Sequence, residues 1–396
     1  MSYPKPTARR GRQPRSDRPS ARVPVAQGVF GPSTAPPAPK PSDDVEAEVA
    51  VPVESPAPAV TTDASSVGRV VTRSEPGSGT RPMPQPEGAV LVTGICGRLG
   101  KLLTRQLHRT DQVVGVDRRP FSDRPKDVAH HQVDMRRKKM KDIFRTQNIR
   151  AVVHLGVLHD PRRSERERHS WNIVAFQKLL DYMSTYEVPK LVVLSGANVY
   201  GPQSSNPQFL TEDAPLLGAQ HFGGMRDLVE LDMLAQSFFW KHPNTETVVL
   251  RPCHIVGRVH NAASNYLRLD RPFMVMGFDP MMQVVHEKDV VRAIQLALKP
   301  GVRGIFNIRG PGEMPLSHLV RQAGGRPRVV PAPLARVALD QLWKLRLSTF
   351  PSQELDHLRY VCMVDDTRAR TELGYEPVHS VAQGLRDVRR LRYRLS

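Results

Sequence analysis

The apolar run AVLVTG leads into TGICGRLGKLL, where Thr93 is followed by Gly94, Gly97 and Gly100. Glycines at every third position behind a strand permit a tight turn. They also let backbone approach a pyrophosphate, whose charge then rests on the N-terminus of the next helix. That helix is legible in Leu99, Leu102, Leu103 and Leu107, which recur at helical spacing. Arg98 and Leu99 lie inside the motif and belong to the same candidate cradle. A second run, QVVGVD, ends on Asp117, 17 residues past Gly100, where a carboxylate binds ribose hydroxyls. Arg118 and Arg119 follow and offer the alternative, acceptance of a 2′-phosphate. A carboxylate repels that phosphate, so NAD is expected ahead of NADP.

A cradle of this kind needs a sheet behind it. AVLVTG, QVVGVD, AVVHLG, KLVVLSG and ETVVLRP are short aliphatic runs bounded by turn residues and separated by enough chain for crossover helices. Buried parallel strands have this texture, so the expected fold is α/β, a Rossmann-type doubly wound parallel sheet. Beyond about Arg258 the regularity weakens, which fits a smaller C-terminal lobe. The expected division is a disordered tail over 1–86 and one domain over 87–396. Within it, the dinucleotide-binding part spans about 87–255 and the substrate lobe about 256–396.

Of 396 residues, 39% are hydrophobic, enough for an ordinary core, and 57 Lys and Arg face 39 Asp and Glu for a net charge of +18. Such a chain attracts polyanions. The first 40 residues carry eight basic side chains against Asp17 alone, and the tail is open to two readings, a solvated leader or an electrostatic arm for a protein or anionic partner. Cys96, Cys253 and Cys362 have neither disulfide nor metal spacing, so no metal is expected. No apolar run is long enough for a membrane span and none follows the basic N-terminus, so a cytoplasmic location is expected.

These motifs resemble the extended short-chain dehydrogenase/reductase family, the nucleotide-sugar epimerases and dehydratases, from Gly88 onward. The resemblance assigns Asp134 and Met135 in HHQVDMR to the adenine. It places Leu155, Gly156 and Val157 of VVHLGVLHDP along the cofactor and makes Asn172 the Asn of the following helix. LSGANVYG, LRPCHIVG, VVHEKDVVRAI, GIFNIRG and DDTRARTELGYEP resemble its later segments, the last two its closing strand and last helix. It also implies a nucleotide sugar as substrate and a homodimer through two long helices.

In that family a Tyr, assisted by a Lys four residues later, removes a hydroxyl proton while a Ser or Thr orients the substrate. Here the three positions hold Gly196, Phe222 and Arg226. Phe222 has no proton to exchange, and a guanidinium does not deprotonate. His221 and Tyr200 are the candidate substitute acids, with His154 and His159 on the nicotinamide side. The spaced pair Tyr186 and Lys190 straddles Pro189 and is set aside. The expected protein therefore keeps the cofactor cradle and lacks the usual acid/base apparatus, which favours a dinucleotide-binding sensor or scaffold. The alternative is an epimerase, dehydratase or oxidoreductase with displaced catalytic residues.

Two features stand outside this scheme. DMRRKKMKDIF concentrates cations where a helix should begin after the third strand. LARVALDQLWKLRL, 334–347, carries a broad apolar stripe suited to covering the lobe core or to meeting a membrane surface or partner.

Overall fold

The computed structural model describes residues 87–158, 163–220, 223–344 and 352–392; the tail, His159, His221 and Phe222 lie outside them. The aliphatic runs form β1 (Ala89–Thr93), β2 (Val113–Asp117), β4 (Ile149–His154), β5 (Lys190–Leu194) and β6 (Glu246–Pro252), while β3 (Ala129–Gln132) comes from the polar AHHQ. A seventh strand, Gly304–Ile308, is the GIFNIRG segment. All seven are parallel in one sheet, in the order Gly304–Ile308, β6, β5, β4, β1, β2, β3. The chain winds outward from β1 to β3 and returns to β4 on the other side of β1. The order reverses there, and the strand ends leave a crevice for a ligand.

The inner strands are buried on both faces, with Val90, Leu91 and Val92 of β1 fully so, which is why they read as continuous apolar runs. One face packs on α1 (Arg98–Leu107) and the helix Glu287–Ala297, the other on α2 (Lys139–Thr146), α4 (Ala175–Thr185) and α5 (Arg226–Lys241). Between α3 (Glu165–His169) and α4 the chain makes one π-helical turn, Ser170–Val174, which buries the consecutive residues Trp171, Asn172 and Ile173. A third core, with Val256, Leu316, Leu339 and Leu385, lies among the C-terminal helices and two short parallel strand pairs.

The last helix differs from expectation. DDTRARTELGYEP holds only the short helix Thr367–Thr371, followed by Gly374 at φ 66°, and the final described helix is Val381–Arg392. The helix after β3 begins at Lys139, past most of the basic run, because Asp134 holds Arg136 in the preceding turn. Among the described residues no helix is long and apolar enough to cross a membrane.

Candidate functional site

The glycine-rich turn is built by contact. Gly94, at φ 70°, lies so close to the loop after β4 that a Cβ would stand 2.8 Å from backbone atoms of Leu155 and Gly156. At Gly100 a Cβ would stand 2.6 Å from the Gly94 carbonyl and 2.7 Å from Ile95, and at Gly97 it would meet the Gly94 carbonyl at 3.1 Å. No side chain caps α1 at Gly97, so its first-turn N–H groups are left for an anion. The cradle therefore fits a pyrophosphate.

Arg98 is differently engaged. Its guanidinium grips the buried Glu287 at 2.5–3.2 Å, and Glu287 also accepts the Arg258 N–H. It ties the phosphate loop to the helix Glu287–Ala297. Leu99 packs into the core beneath.

At the end of β2, where the sequence reading expects the ribose, Asp117 is buried. Its carboxylate accepts the Cys96 N–H at 3.1 Å, the Arg119 N–H at 3.0 Å and the Arg119 guanidinium at 3.0–3.2 Å. Burial alone would raise its pKa; the hydrogen bonds from Arg119 and Cys96 outweigh that and hold it below the usual carboxylate range. Arg118 lies 4.1 Å over the Trp171 ring, whose indole N–H donates to the Gly156 carbonyl at 2.8 Å. Asp134 is gripped by Arg136 at 2.5–2.9 Å, and Arg136 also reaches the Ser170 hydroxyl. Buried Met135 would touch any Cβ placed on Gly156, so Asp134, Met135 and Gly156 border one slot.

The loop after β4 is fixed from the π turn. Asn172 accepts the Leu158 N–H at 2.7 Å and donates to its carbonyl at 3.2 Å, which sets the path of Leu155, Gly156 and Val157. His154 is buried behind it, 2.9 Å from the Thr93 hydroxyl through Nδ1 and tilted against the Phe176 ring at 4.7 Å, with no hydrogen-bond partner for Nε2 among the described residues. Burial pushes its pKa down to about 3. An unfolded chain takes up a proton near the ordinary histidine pKa while the folded one refuses it. Stability is thus full above about pH 6.5 and is lost between there and about pH 3, with about 2 kcal/mol gone by about pH 5. Thermal melts should show that slope, and His154→Leu should lessen it, His254 and His357 keeping their own share because burial lowers their pKa values to about 4 and about 3; an equal slope in the variant would mean that His154 contributes none of it.

Of the three positions that the resemblance assigns to proton transfer, Gly196 and Arg226 lie among the described residues. Gly196 has extended backbone, φ −172°, and a Cβ there would meet only the Pro252 carbonyl at 3.8 Å. Arg226 opens α5 with its side chain 68% exposed, 3.5 Å from Glu165. It faces solvent and an acid of α3. Tyr200 is buried, its hydroxyl donating to Asn307 and accepting from Arg251, both at 2.8 Å. Burial pushes its pKa up to about 12, so it is a structural phenol and a poor proton donor. Arg251 in turn grips Asp232 at 2.7–3.0 Å, both side chains fully buried. The spaced pair is also dispersed: Tyr186 stacks on Phe144, and Lys190 binds Glu246 and two carbonyls.

A family model described as the NAD dependent epimerase/dehydratase family matches residues 90–308. The chain belongs to that family. An uncharacterized protein of Mycobacterium tuberculosis is 28% identical over 317 residues, covering 77% of this chain and 84% of the relative. The UDP-glucose 4-epimerase of Dictyostelium discoideum is 32% identical over 183 residues, 42% of this chain and 52% of that one. Among solved structures, UDP-glucose 4-epimerase from Thermotoga maritima with UDP-glucose aligns with a TM-score of 0.59 at 20% identity, over 78% of this chain and 100% of that one. UDP-glucuronic acid 4-epimerase from Bacillus cereus in complex with NAD aligns with a TM-score of 0.61 at 17% identity, over 78% and 99%. At these identities the structural likeness concerns the fold.

Within this family fold the structure brings the glycines, Asp117, Asp134, Met135 and Leu155–Val157 to one crevice, with Arg118 at its edge. Sequence reasoning missed Trp171, Arg119 as the partner of Asp117, and Glu287 as the partner of Arg98. Trp171 stands next to Asn172 in the sequence, and its indole was the available signal. Glu287 lies 189 residues from Arg98, beyond any local pattern.

Proposed function

We propose that this protein binds NAD and uses it as a conformational ligand, as a sensor or scaffold, without the family's hydride chemistry. The observation that carries the reading is Arg226, turned to solvent beside Glu165 at the position of the assisting Lys. Gly196 and Phe222 at the two companion positions support it. Gly94, Gly97, Gly100 and the N-terminus of α1 would hold the pyrophosphate, Asp117 the ribose, and Asp134 with Met135 the adenine. Arg119 would release the Asp117 carboxylate as the ribose hydroxyls replace it. The bound nicotinamide would supply hydride acceptance to any substrate. Among the described residues, this chain's own groups would bind and orient it, with Arg226 and Gly196 offering no proton acceptor at the positions the family uses.

Titration with NADH and NADPH, followed by nicotinamide fluorescence, and then incubation of the protein loaded with oxidised NAD with UDP-sugars, tests this. Tight NADH binding with weaker NADPH binding and no oxidised or epimerised sugar is the expected result. Turnover would overturn it. Gly100→Ala should weaken NADH binding about tenfold to a hundredfold, because its Cβ cannot clear the Gly94 carbonyl without moving backbone.

A catalytic second reading draws on Ser195, whose buried hydroxyl beside Gly196 has no hydrogen-bond partner among the described residues. In that reading Ser195 orients a sugar hydroxyl and an enzyme with displaced residues acts on a nucleotide sugar. Ser195→Ala would then abolish turnover and leave NADH binding intact.

The family's dimer is proposed here through α4 and α5, where Met233 and Trp240 lie one above the other and Trp240 is 77% exposed. Trp240→Glu should halve the mass measured by light scattering. An unchanged mass would place the interface elsewhere.

A further inference from the structure

The helix Ala332–Lys344 does not bury its whole apolar stripe. Ala335 and Leu339, four residues apart, enter the lobe core, whereas Leu334 and Val337 are turned outward. Val329, Leu269 and Met276 are outward as well, so five of the nine large exposed hydrophobics among the described residues come from 269–276 and 329–337.

The fold makes these segments one surface. Strand Arg328–Val330 pairs with Phe273–Val275, register Val329 to Met274, and the Met276 N–H donates to the Val330 carbonyl at 2.9 Å. The helix starts directly behind that strand, with the Ala335 N–H on the Pro331 carbonyl. On the other flank the Arg326 N–H donates to the Asp270 carbonyl and the Arg328 N–H to the Pro272 carbonyl, which places Leu269 and Arg271 alongside.

The same surface is cationic. Arg271, Arg326, Arg328 and Arg336 are exposed, and the acid within these stretches, Asp270, is paired with Arg392 at 2.6 Å. Asp279, the next acid along the chain, receives the Ser317 N–H. Aliphatic side chains in a frame of guanidiniums match the boundary between acyl chains and anionic headgroups. A second copy of the chain fits less well, because a two-fold contact would oppose like arginines. A nucleic acid would want aromatic stacking, and the exposed apolar residues here are Leu, Val and Met.

We infer that this face of the C-terminal lobe docks on an anionic lipid bilayer, making the protein a peripheral membrane binder. The test is co-flotation of the full chain with vesicles of phosphatidylcholine alone or mixed with phosphatidylglycerol, at low salt. Binding is expected to the mixed vesicles. The double variant Arg328→Gln, Arg336→Gln should lower the partition coefficient about 25-fold, at about fivefold for each cation removed. Leu334→Ser with Val337→Ser should lower it about tenfold or more. The basic tail is present in every protein compared, so its own attraction is constant. Because the substituted side chains are exposed, thermal melts should match the native protein. Binding that both double variants leave unchanged would assign it to the tail and overturn the proposal. So would indifference to phosphatidylglycerol, or a dimer broken by Leu334→Ser with Val337→Ser in a protein that ignores vesicles.

Discussion

Replacing Asp232 with leucine should cost the fold about 4 kcal/mol and lower the melting temperature by about 10 °C. Asp232 and Arg251 are both fully buried in a bidentate pair, and the guanidinium also donates to the Tyr200 hydroxyl and to the Glu212 carbonyl at 2.9 Å. Burial pulls the Arg251 pKa down and the carboxylate reverses this, so the arginine stays charged in the interior. Removal of the acid leaves that charge without a counterion, far from water. The double variant Asp232→Leu, Arg251→Met should recover most of the loss, because an apolar pair has no charge to desolvate. Denaturant melts of the native protein, of Asp232→Leu, of Arg251→Met and of the double variant measure this. A single variant as stable as the native would mean that the network contributes nothing.

The second large effect is a gain. Gly196→Ser, Phe222→Tyr and Arg226→Lys together should raise turnover of a UDP-sugar by about a hundredfold or more over the native protein, the range that a placed general acid/base supplies. Gly196 accepts a side chain without strain, since its backbone is extended and a Cβ would have 3.8 Å of clearance. The Arg226 position is the harder one, because its backbone aims the side chain at Glu165. If NADH binding persists and turnover stays absent in the triple variant, the start of α5 rather than the residue types is what separates this chain from catalysis. Turnover already present in the native protein would sink the non-catalytic reading itself.

The central sheet was legible because buried parallel strands cannot hide: AVLVTG and KLVVLSG are apolar on both faces for lack of any solvated side. The edge strand β3 was not, since its AHHQ is half solvated and carries no aliphatic signal. In the site, Gly94, Gly100 and Asp117 were readable from spacing, because backbone proximity tolerates no side chain and a strand end fixes the acid. The occupation of those groups was not readable. That Arg119 closes on Asp117, or that Arg98 serves Glu287 instead of a phosphate, depends on side chains meeting across the fold. The late helix showed its apolar stripe as a composition and left its direction open. Leu334 and Val337 satisfy helical spacing as well as Ala335 and Leu339 do, and only the position of the lobe core decides which pair is buried.

The π turn at Ser170–Val174 carries one residue more than a regular helix would need, and that surplus has a consequence for how this chain tolerates length changes. Deleting a single residue there would restore regular winding and rotate Glu165–His169 by about 100° relative to α4. His169 would leave Asp227, its partner at 3.2 Å, and the Trp171 indole would lose the Gly156 carbonyl. A one-residue deletion at a helix junction, which most helical proteins absorb at their surface, would here dismantle from behind the support of the loop after β4, the wall of the crevice proposed for NAD.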